Sequence, residues 1–77
     1  MIASPVYGEI IDFLAAGTTP DTIISFRPSE SARNRVENLI RREKTSSLSL
    51  EEMDELNHYM QLEHIMRLAK IRARRYV

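Results

Sequence analysis

The sequence predicts an all-α protein. Its expected fold is a helical hairpin with a long C-terminal helix, preceded in the chain by short N-terminal helices. The segment from Leu50 to Tyr76 contains neither Pro nor Gly, and its apolar residues recur at helical spacing. Start signals for three shorter helices precede it. The one β-branched run, residues 22–26, is closely bounded by prolines, so no strand competes strongly. A chain of 77 residues predicts a single helical domain over 1–77.

The first helix is predicted over residues 5–16. Ser4 is the expected N-cap and Pro5 the first helical residue, because Pro is pre-organised for that position. Gly17 is placed to end the helix as a C-terminal glycine cap. The predicted apolar face consists of Val6, Ile10, Phe13 and Leu14.

Two more helices precede the long one. Thr19 is predicted to cap the second, with Pro20 at its first position, and Pro28 stops it by disfavouring helical geometry in the residue before. The third is predicted from about Ser29 to about Lys44, with an acid in its first turn and bases in its last, as the helix dipole favours. Its narrow apolar stripe is Ala32, Val36, Leu39 and Ile40.

The fourth helix is predicted to start at a capping box formed by Ser49 and Glu52. It would be about 40 Å long at ~1.5 Å per residue, and the third helix covers only about half of that length. The short connecting loop favours an antiparallel pairing of the two helices. Either the N-terminal segments or a second chain must therefore cover the far end.

The long helix carries apolar residues on more than one side, so it must be enclosed. One stripe has heptad spacing and is predicted as the surface for self-association or partner binding: Tyr59, Leu62, Met66, Ala69, Ala73 and Tyr76. A second stripe lies on neighbouring faces: Met53, Leu56, Met60, Ile65, Leu68 and Ile71. A domain of this size with no Cys is marginal alone, which favours a homo-oligomer.

Charge is segregated along a chain whose net charge is zero. That balance argues against a protein that is basic over its whole surface, as a non-specific nucleic-acid binder would be. Residues 51–63 carry five acids and no base, whereas residues 67–75 carry five bases and no acid. The basic run is predicted as a charged contact surface: Arg67, Lys70, Arg72, Arg74 and Arg75. Three partners are open for this surface: the acidic block 51–63 of an antiparallel second copy, nucleic acid, or an acidic or nucleic-acid-like groove on another protein.

No catalytic or metal-binding residues are predicted. Glu55 and His58 form a single E-x-x-H, a motif that builds di-metal sites only in paired copies, and His64 lies on a different side of the helix. The serines stand at caps and in a loop, where their hydroxyls satisfy backbone donors. No cofactor and no small-molecule substrate are therefore expected. The sequence has no basic N-terminal region and no long apolar run, so the protein is expected to be cytoplasmic and to make no contact with a membrane.

Residues 10–76 resemble a family of short, mostly uncharacterised bacterial proteins that are common in cyanobacteria. The residues that carry the resemblance are Thr19-Pro20, Phe26, Ser29, Leu62-Glu63-His64, Met66-Arg67-Leu68-Ala69-Lys70 and Arg72-Ala73-Arg74. Members look like companions of a neighbouring nuclease- or toxin-like protein, and the resemblance implies a neutralising or accessory role.

Together these patterns predict a non-enzymatic helical interaction protein that self-associates and binds a protein partner, in an antitoxin-like or immunity-like role. The alternative is a small nucleic-acid-binding regulator that uses the basic C-terminal helix.

Overall fold

The computed structural model describes residues 5–77 and confirms the all-α prediction. Within that range there are four α-helices and no strand. Helix α1 spans Gly8–Ala15, α2 spans Pro20–Ser25, α3 spans Glu30–Thr45 and α4 spans Leu50–Ala73, followed by a 3₁₀ turn over Arg74–Tyr76. No helix in the described part of the chain has both the length and the apolar character needed to cross a membrane.

Three helices begin at the predicted caps. The hydroxyl oxygens of Ser29 and Ser49 each accept a hydrogen bond from the backbone N–H three residues later, both at 3.1 Å. Glu52 completes the capping box by accepting the backbone N–H of Ser49 at 3.0 Å. Thr19 caps α2 in a similar reciprocal arrangement with Thr22. Gly17 adopts a φ of 90°, the left-handed conformation in which glycine has no steric penalty, directly after α1.

The predicted start of α1 is wrong. The helix begins at Gly8, and the N-cap position, Tyr7, makes no side-chain cap. Pro5 instead lies in a turn, where its carbonyl accepts the N–H of Gly8 at 2.9 Å. The N–H of Val6 donates to the carboxylate of Glu55 at 2.9 Å, so a contact far along the chain holds this segment. The predicted cap Ser4 lies outside the described residues.

Helices α3 and α4 form the predicted antiparallel hairpin. Arg42 near the end of α3 pairs with Glu52 near the start of α4, and Arg35, about two turns earlier, pairs with Glu55. Between these helices lies the apolar core, in which Leu39 is fully buried. The core cluster contains Val6, Ile10, Ala32, Val36, Leu39, Leu56, Tyr59 and Met66.

The C-terminal half of α4 is covered by α2, which packs against it and against the closing 3₁₀ turn. The ring of Phe26, at the end of α2, lies 4.5 Å from the ring of Phe13 on α1. The ammonium group of Lys70 donates to the carbonyl of Phe26 at 2.8 Å. The N-terminal segments of the same chain therefore cover one side of the C-terminal half of α4, which is the first of the two predicted possibilities.

Candidate interaction surface on the long helix

The heptad-spaced stripe of α4 faces the protein's own core. Tyr59, Met66 and Ala73 are no more than 7% exposed, and Leu62 and Ala69 are half-buried. This corrects the prediction that the stripe is the surface for self-association, because α2 and α3 already cover it. Tyr76 is the exception, at 75% exposed in the closing turn.

The second stripe of α4 is the side that the described residues, 5–77, leave uncovered. Five of its six residues are between 46% and 59% exposed: Met53, Met60, Ile65, Leu68 and Ile71. We call these five residues the exposed stripe. Leu56, the sixth, is turned toward α3 and is buried. The apolar excess of α4 is therefore real, but it lies on the face opposite to the one predicted for a partner.

The exposed stripe runs along nearly the whole of α4. Ile71 follows Met53 by five helical turns of about 3.6 residues each, so the two side chains project from the same side of the helix. Asn57 and His64 lie between them on this face and are also exposed. The N-terminal end is extended by Leu50, which is 81% exposed. A largely apolar face of this kind, interrupted by Asn57 and His64, is typical of a helix that packs against another helix.

Most acids of the block 51–63 are already engaged within the chain. Glu52 accepts from Arg42 at 3.0 Å, and the hydrogen bonds from Arg42 and from the backbone of Ser49 lower the pKa of Glu52 to about 2. Glu63 pairs with Arg67 one turn later on the same helix. Of the five acids, Glu51 and Asp54 alone make no ion pair with any residue in 5–77.

Glu55, like Glu52, accepts three hydrogen bonds. It accepts hydrogen bonds from the backbone of Val6 and from two nitrogens of Arg35, at 2.9 Å, 3.3 Å and 2.9 Å. Burial acts to raise the pKa of Glu55, but these hydrogen bonds and the charge of Arg35 outweigh it, and the pKa is lowered. This carboxylate therefore holds the turn before α1 and helices α3 and α4 together.

The E-x-x-H motif serves structure. Glu55 is bound by Arg35, and the ring of His58 packs against Tyr7 at a centroid distance of 5.3 Å. Glu55 and His58 both line an open cleft of about 1030 Å³ between the N-terminal parts of α1, α3 and α4. Within residues 5–77, no three His, Cys, Asp or Glu residues are grouped so that they could hold a metal ion.

The basic run divides into two groups. Arg67 is paired with Glu63, and that hydrogen bond raises its pKa. Lys70 is committed to the carbonyl of Phe26, and burial, followed by the nearby charge of Arg27, lowers its pKa. The remaining members are exposed and make no ion pair in the described part of the chain: Arg72, Arg74 and Arg75. Only this second group is available as the predicted charged contact.

No family model, no curated protein and no solved structure matches this chain. The sequence locates both stripes on α4, but which of them is uncovered depends on where α2 and α3 pack.

Proposed function

We propose that this protein is a non-enzymatic helical interaction protein that self-associates through the exposed stripe of α4. The observation that supports this best is the line of five large apolar side chains, each about half exposed, along one helix. Fully burying such a side chain is worth about 1.5–3 kcal/mol, so completing the burial of ten half-exposed ones in a dimer is worth roughly 10 kcal/mol. That is similar to the cost of association, about 4–15 kcal/mol. The expected assembly is therefore weak and depends on concentration.

Sedimentation equilibrium from low micromolar to near millimolar protein tests this proposal. The unaltered chain is expected to move from monomer to dimer over that range. Leu68→Gln with Ile71→Gln should shift the transition to at least tenfold higher concentration, since the apolar area is removed, while circular dichroism stays helical. Ile11→Gln is the matched control, because Ile11 is also exposed but lies on α1. A chain that stays monomeric throughout contradicts the proposal.

We also propose that the protein binds an acidic surface of another protein, in an antitoxin-like or immunity-like role. Three features support this: the exposed arginines Arg72, Arg74 and Arg75, their position beside the apolar stripe, and the accessory role implied by the family resemblance. Apolar area with adjacent arginine is typical of protein interface centres. Copurification with the product of the adjacent gene, lost on charge reversal of Arg72 and Arg75, is the test.

The alternative is nucleic-acid binding by the same three arginines. Phosphate contacts make affinity fall steeply with salt, with a slope of about 0.9 for each phosphate neutralised on duplex DNA. If this alternative holds, Arg72→Ala with Arg74→Ala should reduce the slope by nearly two. Arg33→Ala with Arg41→Ala is the matched control, since both are exposed on α3. Absence of binding to DNA and RNA at low salt ends this alternative.

A further inference from the structure

We infer that the occupant of the exposed stripe is a second copy of this chain, paired antiparallel across a two-fold axis level with residues 62–63 of α4. This inference rests on the proposed self-association and specifies its geometry. A two-fold contact must be self-complementary, because each patch meets the same patch on the other copy. In the antiparallel pair the stripe of one copy meets the same stripe of the other copy, running in the opposite direction. Apolar residues must then lie opposite apolar residues, and charges opposite charges of the other sign.

The apolar residues at the two ends of the stripe match when the helix is reversed. With the axis level with residues 62–63, Met53 at one end lies level with Ile71 of the second copy, and Ile71 lies level with Met53 of that copy. Near the axis, Met60 and Ile65 lie on opposite flanks of the stripe, so each approaches its own counterpart in the second copy. Both ends of the pair are then apolar contacts, and all five residues of the exposed stripe lose solvent. Helices in such pairs approach to about 8–10 Å between axes.

The free charges match in the same register. Asp54 and Arg72 are separated by five helical turns and so lie on the same flank of the stripe. In an antiparallel two-fold pair, residues of the same flank meet, and Asp54 comes within about 3 Å along the axis of the level of Arg72 in the second copy. Each is exposed and has no ion pair of its own within residues 5–77. Two such contacts form, one at each end.

A parallel pair uses the same apolar residues but fails on charge. It brings the two C-terminal ends together, so that Arg72, Arg74 and Arg75 of both copies crowd one end. The acidic first turns, with Glu51 and Asp54, crowd the other. A parallel pair would let Asn57 meet its own copy, an arrangement that favours parallel dimers in coiled coils. Repulsion between like charges at both ends of the parallel pair opposes the single favourable contact of Asn57. The antiparallel pair is therefore preferred.

Charge reversal tests the pairing of Asp54 with Arg72. Asp54→Arg alone and Arg72→Asp alone should each weaken the dimer by about fivefold to thirtyfold, because each sets like charges together at both ends. An equimolar mixture of the two variants should restore the affinity, since every contact in the mixed dimer joins opposite charges. Glu37→Arg on α3 is the control, because Glu37 is an exposed acid on another helix.

Cysteine crosslinking tests the direction, and the chain contains no cysteine of its own. A disulfide requires Cα atoms within about 4.4–6.8 Å. A mixture of Met53→Cys and Ile71→Cys chains should give the mixed disulfide as its main product under oxidising conditions. Met53→Cys that crosslinks preferentially to itself would show a parallel pair and overturn the inference.

The two levels of failure are distinguishable. If the unaltered chain sediments as a monomer at all concentrations, the proposed self-association itself is wrong. If it dimerises but the mixture of charge variants is no tighter than either variant alone, self-association stands and the antiparallel register is overturned. Dimerisation with restored affinity in the mixture and the mixed disulfide supports both.

Discussion

Glu52 joins two parts of the fold with one carboxylate. It accepts the backbone N–H of Ser49, which closes the capping box, and it accepts from the guanidinium of Arg42 at the end of α3. The sequence predicts the first contact, because a box of this kind is a local pattern. The pairing with Arg42 crosses the loop between two helices and depends on how they pack, so the sequence indicates only that acids and bases are present.

Acid should destabilise the protein through these carboxylates. The pKa of Glu52 is lowered to about 2, and those of Glu9 and Glu55 are also lowered. Since the folded-state pKa lies below the unfolded one, the stabilisation is present above about pH 4.5 and is lost as the pH falls toward 2. Thermal unfolding midpoints should be nearly constant from pH 7 to 5 and should fall below pH 4.5.

Glu52→Gln isolates the contribution of that residue. The variant should be less stable than the unaltered chain at pH 7, and the difference should shrink as the pH falls from 4.5 toward 2, the window in which the stabilisation from the low folded-state pKa of Glu52 is lost. Glu43→Gln is the control, because Glu43 is exposed and makes no ion pair within residues 5–77. Equal pH profiles for the Glu52→Gln variant and the unaltered chain would contradict the assigned role.

At the scale of the helices, the sequence predicts the first residue of a helix well where the N-cap is a side chain from the same segment of the chain. Ser29 and Ser49 begin α3 and α4 as expected. The start of α1 fails because the N–H of Val6 is held by Glu55 from α4, and no local rule contains that partner. The same reason explains why the heptad-spaced stripe of α4 is buried and the second stripe is exposed. The position of the covering helices, and not the spacing of the apolar residues, decides which side of α4 belongs to the core.

The cap of α4 should carry measurable stability. Ser49→Ala removes the acceptor of the N–H of Glu52 and is expected to cost about 0.5–2 kcal/mol in the free energy of unfolding. Urea denaturation followed by circular dichroism measures it. Ser47→Ala is the matched control, because Ser47 is exposed in the same loop and caps no helix. An equal effect of both substitutions would show that the cap contributes nothing specific.

The whole molecule is elongated because one helix is longer than anything packed on it. Its principal extents are 44 × 28 × 19 Å and its radius of gyration is 13.8 Å, whereas a compact domain of this length has about 11.5 Å. Helix α4 alone accounts for roughly 36 Å of the long axis. The sequence predicts this rod and its neighbours α2 and α3, but an uncovered side can be recognised only when all the helices are placed.

The shape also predicts how the dimer should scatter X-rays. In the antiparallel pair, the two-fold axis crosses the middle of α4, so the second copy lies beside the first. Concentration-dependent scattering should show the mass doubling while the maximum dimension stays well below twice the 44 Å length of one chain. The dimer should also widen across the stripe. Association end to end would instead extend the particle toward twice that length, and such growth would exclude pairing along the exposed stripe.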